Sequence, residues 1–336
     1  MNAENGPKEH HETDSEIETS SETEEATKGQ GEAPTRCGFV AIIGAPNAGK
    51  STLINSLVGA KVSIVTHKVQ TTRSRLRAIA IVGNSEIVFV DTPGIFKPRR
   101  KLDEAMVEAA WEGAADADVV ALLVDARRGL DEENQRILKG LGKSLGQGPG
   151  APGREVILVL NKIDLVEKGR LLELAAAFNE AHPFAATFMV SALKGEGLAD
   201  LRDYLAEQMP EGPWLYPPNQ ISDLPLRMLA AEITREKIYL RLHDELPYAS
   251  HVETESWEER ADGSIRIEQT IYVLRESQKK IVIGKGGQTI KEIGQAARKE
   301  LSELLGGRKV HLFLFVKVRE KWDQDPERLR SLGLLP

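Results

Sequence analysis

The sequence predicts an α/β domain, a mainly parallel sheet with helices on both faces, followed by a smaller α+β domain. Three observations predict it. Between Cys37 and Gln208 short apolar runs alternate with helical stretches, the pattern of strand–helix–strand units. Five prolines then fall between Met209 and Pro225, where neither a helix nor a central strand can continue. Beyond that break the order becomes helix, strand, strand, helix, helix, strand. A length of 336 residues suits two domains of ordinary size.

Residues 1–35 hold 10 acidic residues against 2 lysines, a net of −8, and almost no large apolar side chains. Such a segment cannot bury enough surface to fold, so a disordered acidic tail is expected. The first domain, 36–208, carries strand-like runs at 38–43, 79–81, 87–90, 119–124, 156–160 and 184–190. Helical patterns at 50–58, 133–145, 171–181 and 198–208 lie between most of them. Residues 146–154, "GQGPGAPGR", read as a flexible surface loop. Residues 209–224 form a Pro-rich linker, and 225–336 the second domain. There a helix at 226–241 precedes strands at 251–259 and 265–274, with a turn at Ala261-Asp262-Gly263. A helix from about Gln288 to Leu305 follows a glycine loop, its apolar face made by Ile290, Ile293, Ala297, Leu301 and Leu304. The strand "KVHLFLFVKV" closes the order.

Composition narrows the setting. Hydrophobic residues make 41% and charged residues 28%, as in a soluble globular protein. No apolar run is long enough to span a bilayer, and the acidic N-terminus carries no signal core. Cys37 is the single cysteine, which excludes an internal disulfide and points to a reducing cytoplasm. The net charge of −7 is unevenly spread: residues 265–321 hold 13 Lys/Arg against 6 Glu, a net of +7. A basic end within an acidic chain suits an anionic partner.

"GAPNAGKS", from Gly44 to Ser51, fits G-x-x-x-x-G-K-[ST] between a predicted strand and helix. Gly44 and Gly49 let backbone N–H groups wrap phosphates, with Ala45, Pro46, Asn47 and Ala48 forming the rest of the wall and Thr52 following it. Lys50 supplies a cation, and the Ser51 hydroxyl can ligate Mg²⁺. "DTPG" ends a strand: Asp91 can hold the Mg²⁺ shell, Thr92 and Pro93 follow, and the Gly94 N–H can meet a γ-phosphate. "NKID", with Asn161, Lys162, Ile163 and Asp164, ends another strand. A buried Asp164 accepts from the N1–H and 2-amino group of guanine, donors that adenine lacks. "SAL", Ser191, Ala192 and Leu193, also follows a strand, and the Ala192 N–H can donate to guanine O6. In this order, each at a strand's C-terminal end, the motifs indicate a GTP site.

These motifs resemble those of translation-factor-related GTPases. With Asn47 in the first loop and "KVQTTRSR" at 68–75 as switch I, they resemble the Era family. The resemblance makes Thr72 the switch threonine that reaches Mg²⁺, with its neighbour Thr71 the alternative. Where many GTPases place a water-orienting glutamine after DxxG, this chain has Ile95, which offers no polar group. Hydrolysis is then either slow or assisted, and the resemblance makes Asn47 a residue that helps hold potassium against the phosphates; the alternative is that it only shapes the loop. Arg73 and Arg75 could add positive charge.

"IVIGKGGQTIKEIG" carries the second glycine loop. A bare GxxG arises by chance about two or three times in a chain with 29 glycines. This one joins two predicted helices inside the basic segment, and resembles the loop of a K-homology (KH) domain of bacterial topology. Such a loop clamps a single-stranded backbone. Gly284, Lys285, Gly286 and Gly287 would hold RNA, over an apolar floor of Ile281 and Ile283. "REKIYLRLHDELPY" and "VKVREKWDQDPERLRSLG" also resemble the Era family. The resemblance implies a monomeric GTPase that binds the 3′ region of small-subunit (16S) rRNA and assists 30S maturation, in the cytoplasm and peripherally at the inner membrane. A P-loop ATPase is disfavoured by Asp164, and an RNA-binding module with a vestigial nucleotide site by intact Lys50, Ser51 and Asp91. A related GTPase acting on the large subunit or tRNA is disfavoured by the C-terminal GxxG domain.

Overall fold

The computed structural model describes residues 34–66, 68, 71–72, 76–98, 101–144, 155–243, 246–332 and 334. The acidic tail up to residue 33, Arg73 and Arg75, and the 146–154 loop therefore lie outside the described residues.

The first domain runs β1 (Arg36–Ile43), α1 (Lys50–Val58), β2 (Leu76–Val82), β3 (Ser85–Asp91), α2 (Lys101–Asp116), β4 (Val119–Asp125), α3 (Glu132–Ser144), β5 (Glu155–Asn161), α4 (Lys168–Ala181), β6 (Thr187–Val190) and α5 (Leu198–Gln208). Its strands form one sheet in the order β2-β3-β1-β4-β5-β6, with only β2 and β3 antiparallel. The unbroken apolar runs of β1 and β4 follow from burial on both faces. Val40 and Ile42 enter one core with Leu53, Leu57 and Phe89, while Ala41 and Ile43 enter the opposite core with Leu122, Ile137 and Phe178. Alternation of side chains along each strand divides the residues this way. It also sets Asn161 beside Asp125 at the C-terminal ends of β5 and β4.

The linker is laid along the edge of this sheet. Ile79 N–H donates to the Ile221 carbonyl and Asp223 N–H to the Arg77 carbonyl, so the chain pairs with the open side of β2. The Trp214 indole N–H donates to the Asn84 carbonyl at 3.1 Å. An exposed strand edge is thereby covered.

The second domain comprises α6 (Leu226–Arg241), β7 (His251–Glu259), β8 (Ile265–Val273), α7 (Glu276–Ile283), α8 (Gln288–Leu304), β9 (Val310–Val318) and α9 (Pro326–Ser331). β8 pairs antiparallel with β7 and parallel with β9. Helices α6 and α8 cover one face, burying Leu229, Ile233, Ala297 and Leu301 against Ile265, Ile267 and Leu312. Of the five residues expected on the apolar face of α8, Ile293, Ala297 and Leu301 are buried, Ile290 is half-buried and Leu304 is 38% exposed. A further core joins the two domains: Leu102, Met106 and Ala109 of α2 pack with Trp322, Leu329 and Leu332 after β9. Trp322 is anchored by its indole N–H to the Ala249 carbonyl and by stacking on His251.

Candidate nucleotide-binding site and nucleic-acid groove

The loop between β1 and α1 turns through Asn47 (φ 63) and Gly49 (φ 104) before α1 begins at Lys50. Gly49 is required twice over. Its φ is in the left-handed region, and a Cβ there would stand 2.4 Å from Asn161 Nδ2. Asparagine tolerates the left-handed region at position 47 better than most residues. Lys50 is buried and donates to the carbonyls of Gly44 and Ala45 at 3.1 and 3.0 Å. Burial pushes its ammonium down to about 8, opposed in part by the charge of Asp91. The Ile95 N–H donates to the Gly44 carbonyl, and Gly94 packs against Pro46. The "DTPG" segment is thus tied to the first loop, and buried Ile95 sends no polar side chain into the site. Thr92 turns inward, its hydroxyl on the Ile42 carbonyl at 2.8 Å.

Three oxygens converge beside Lys50. Ser51 Oγ lies 2.9 Å from Thr72 Oγ1 and donates to Asp91 Oδ2 at 3.1 Å, while Thr72 Oγ1 lies 3.3 Å from the same Oδ2. Ser63, absent from the sequence expectations, adds a hydroxyl donor at 2.6 Å. Asp91 is fully buried, which pushes its carboxyl up against the lowering effects of Ser63, Lys50, Ser51 and Thr72. Its Oδ1 is buried with no hydrogen-bond partner among the described residues. Two hydroxyls and one carboxylate, one of whose oxygens is orphaned, fit a hard, oxygen-seeking cation such as Mg²⁺. Thr71 faces elsewhere: its hydroxyl meets Thr66 Oγ1 and the Lys68 carbonyl at 2.6 and 2.7 Å. Val65, Thr66 and Lys68 join Asn47, Lys50 and Thr72 around a cavity of about 50 Å³; Lys68 opens the expected switch I stretch, whereas sequence reasoning had not named Val65 or Thr66.

At the far end, Asn161 braces three loops. Its Nδ2 donates to the Ala48 carbonyl at 2.9 Å, and its Oδ1 accepts from the Lys162 and Ala192 N–H groups. The Ala192 N–H expected to meet guanine O6 is therefore engaged within the chain. Lys162 (φ 65) bridges the Asn47 carbonyl at 2.6 Å and Asp125 Oδ2 at 2.8 Å. Asp125 was not foreseen; an aspartate directly after the apolar run at 119–124, at a predicted strand end, was the available signal. Burial pushes its carboxyl up, but hydrogen bonds from Arg127 and Lys162 outweigh that and hold it at about 2. Asp164 accepts from Ser191 Oγ at 2.7 Å and pairs with Lys194 at 3.6 Å, and the Ser191 hydrogen bond leads the causes that lower its pKa. Leu193 is 82% exposed.

In the second domain the turn Gly284–Gly287 joins α7 to α8. Gly284 (φ 75) is structural: a Cβ would lie 2.2 Å from Thr289 Oγ1. Gly286 and Gly287 also have positive φ, but a Cβ on either would meet nothing within 4 Å, so their backbone is open to close approach. Lys285 is exposed at the tip. Two adjoining cavities of about 580 and 470 Å³ run between α8 and the open edge of β9, both lined by Gln295, Arg298, Leu312 and Phe313. Lys291, Lys299 and Lys309 add positive charge, and Arg266 stacks over Phe313, 5.2 Å from the ring centroid. Ile281 and Ile283, expected as an apolar floor, line neither cavity. They sit on α7, where Ile281 is 54% exposed and Ile283 half-buried.

Comparison with known proteins agrees with both halves. Residues 39–162 match the family described as 50S ribosome-binding GTPase, and residues 245–323 match the KH domain family. The chain is 65% identical over 304 residues to a protein named GTPase Era from Rhizobium meliloti (strain 1021), covering 90% of this chain and 94% of the relative. It is 66% identical over 301 residues to GTPase Era of Sinorhizobium medicae (strain WSM419), with the same coverage. Among solved structures, Era in complex with MgGDPNP and nucleotides 1506–1542 of 16S ribosomal RNA aligns with a TM-score of 0.82 at 38% identity, covering 90% of this chain and all of that one. A variant of Aquifex aeolicus Era bound to GDP·AlF4⁻ aligns with the same score, identity and coverage.

Proposed function

The chain belongs to the GTPase Era family, and from that premise we propose that it is a GTP-driven switch that holds the 3′ region of small-subunit rRNA on its C-terminal KH domain. The first loop wraps the phosphates with backbone N–H groups, Lys50 supplies the fixed positive charge, and Gly94 N–H meets the γ-phosphate. Ser51, Thr72 and Asp91 would hold Mg²⁺, which would supply positive charge against the phosphates. Asp164 reads guanine through its N1–H and 2-amino donors, and Lys162 ties the base end to the first loop. Ile95 has no means of orienting water, so intrinsic turnover is slow unless Asn47, exposed beside the phosphates, helps hold potassium.

The observation that carries the RNA half is the basic, aromatic-bearing groove between α8 and β9. It runs beside the Gly284–Gly287 turn, on the same chain as four nucleotide motifs. Phosphates pass over Gly286 and Gly287, and bases enter the groove, where the free edge of β9 offers backbone hydrogen bonds. The same reading extends to assistance in 30S maturation by a cytoplasmic monomer, with peripheral association at the inner membrane following from family resemblance. No helix among the described residues is long and apolar enough to cross a membrane.

Gly287→Asp tests the RNA half. A Cβ there meets nothing within 4 Å but sits at φ 78, so the substitution acts through backbone strain in the turn as well as through a carboxylate that repels phosphate. In a filter-binding titration with an RNA of the 3′ end of small-subunit rRNA, affinity should fall at least tenfold while GDP affinity is retained. Normal RNA binding by this variant would place the RNA surface elsewhere.

A further inference from the structure

We propose that α6 of the KH domain sets switch I for GTP hydrolysis, with Arg235 as the positioning residue. The inference rests on reading Thr72 as a hydroxyl of the Mg²⁺ site. Arg235 is 1% exposed, in the middle of α6. Its guanidinium is held by Glu232, with Nε donating to Oε1 at 2.8 Å, and it stacks over Tyr239 at 5.2 Å from the ring centroid. From that fixed position Nη2 donates across the domain boundary to the backbone carbonyl of Thr71.

That carbonyl belongs to the planar peptide unit joining Thr71 to Thr72. Holding it orients the peptide plane and so fixes the direction in which Thr72 leaves the backbone. The Thr72 hydroxyl then lies 2.9 Å from Ser51 Oγ and 3.3 Å from Asp91 Oδ2. Other attachments repeat the pattern. Glu236 accepts the Val65 N–H and the Lys61 ammonium, each at 2.9 Å. Lys68 donates to the carbonyls of Tyr239 and Leu242, at and just beyond the end of α6. Lys61 also pairs with Glu300 of α8, the helix that lines the RNA groove. Most of these bonds engage backbone groups on one side or the other. Those at the Val65 N–H and the Thr71 carbonyl take hold of the switch backbone itself, and so specify its position at these two residues rather than merely holding two surfaces together. A switch segment seated this way reaches the Mg²⁺ site already ordered, and loses that order when the KH domain lets go.

The test uses the full chain. Arg235→Met keeps the apolar stem and removes the donors. Single-turnover hydrolysis, with the protein in excess over GTP, is followed across a Mg²⁺ titration, with GDP affinity measured alongside. Losing a charge-assisted hydrogen bond that orders the switch should slow hydrolysis about tenfold and raise the Mg²⁺ midpoint about tenfold. GDP affinity should stay within about twofold, since Thr72 is a group for the triphosphate state. Arg235→Lys should recover part of the rate. Lys68→Ala, at a partly exposed position, should move rate and midpoint in the same direction by about threefold, and it decides the matter if Arg235→Met loses GDP and GTP binding together through misfolding. Thr72→Ala is run beside them. If Thr72→Ala hydrolyses GTP as the unaltered chain does, the underlying reading of Thr72 is wrong and the proposal goes with it. If Thr72→Ala is slow but Arg235→Met and Lys68→Ala keep the unaltered rate and Mg²⁺ midpoint, α6 merely packs against switch I and the proposal is overturned.

Discussion

Raising the pH from 7 to 8.5 should weaken GTP binding about fourfold, because Lys50 is a buried cation close to losing its proton before phosphate arrives. Burial drives its ammonium down to about 8, and Asp91 opposes that only in part. A triphosphate placed against Lys50 favours the charged form, so the complex keeps the proton over this range while the free site loses it. The sign follows: affinity is full well below pH 8 and declines as the pH rises through it. With the free site half-protonated at about pH 8, the weakening factor is about 1.1 at pH 7, about 2 at pH 8 and about 4 at pH 8.5. Calorimetric titration with a non-hydrolysable GTP analogue, in two buffers of different ionisation enthalpy, should show uptake of about half a proton per nucleotide at pH 8. Lys50→Met should bind more weakly but lose this pH dependence. Flat affinity and no proton uptake in the unaltered chain would refute the reasoning.

Asp164→Asn replaces an acceptor that Ser191 and Lys194 hold in place with an amide that can clash with the guanine 2-amino group and suit the xanthine 2-oxo group. In a competition assay XTP should gain on GTP, and unchanged GTP preference would remove Asp164 from base reading. If Asn47 helps hold potassium, hydrolysis should be faster in KCl than in NaCl at equal ionic strength, and Asn47→Ala should abolish the difference; equal rates in both salts would leave Asn47 as a residue that shapes a left-handed turn. Gly284→Ala would force a Cβ to 2.2 Å from Thr289 Oγ1 at φ 75, and thermal melts should show a loss of about 1–3 kcal/mol. Lys285→Ala should reduce the slope of log RNA affinity against log salt by about one phosphate contact. An unchanged slope would place Lys285 outside the RNA path.

Much of the fold was legible because local chemistry and tertiary packing agree. Helices α1, α5 and α6 and strand β7 fall on the predicted residues, the helices marked by apolar positions at helical spacing and the strand by the turn residues that follow it. Helix α2 was passed over. Its buried face is largely alanine and glycine (Ala105, Ala109, Ala110, Gly113 and Ala114), which marks a core less clearly than leucine does. Lys50, Ser51, Thr72 and Asp91, read from separate motifs, are brought together by the structure. What the sequence could not show is pairing between distant stretches. Ser63 on Asp91, Lys162 on Asp125, the linker along β2 and Arg235 on Thr71 each join segments whose spacing carries no period. The cavities beside the glycine loop were out of reach for a related reason. Ile281 and Ile283 adjoin the glycine loop in sequence, but the groove is made by α8 and the edge of β9, which the fold brings beside it.

The central claim is that one chain couples a GTP site to an RNA groove, and crosslinking with sequencing of the RNA held by the full chain in its GTP-loaded and GDP-loaded states tests it most directly. The account predicts crosslinks from the single-stranded 3′ segment of small-subunit rRNA to the Gly284–Gly287 turn and to the α8–β9 groove, with a yield that changes with the nucleotide. Crosslinks dominated by large-subunit rRNA or tRNA, or the same yield in both states, would contradict it.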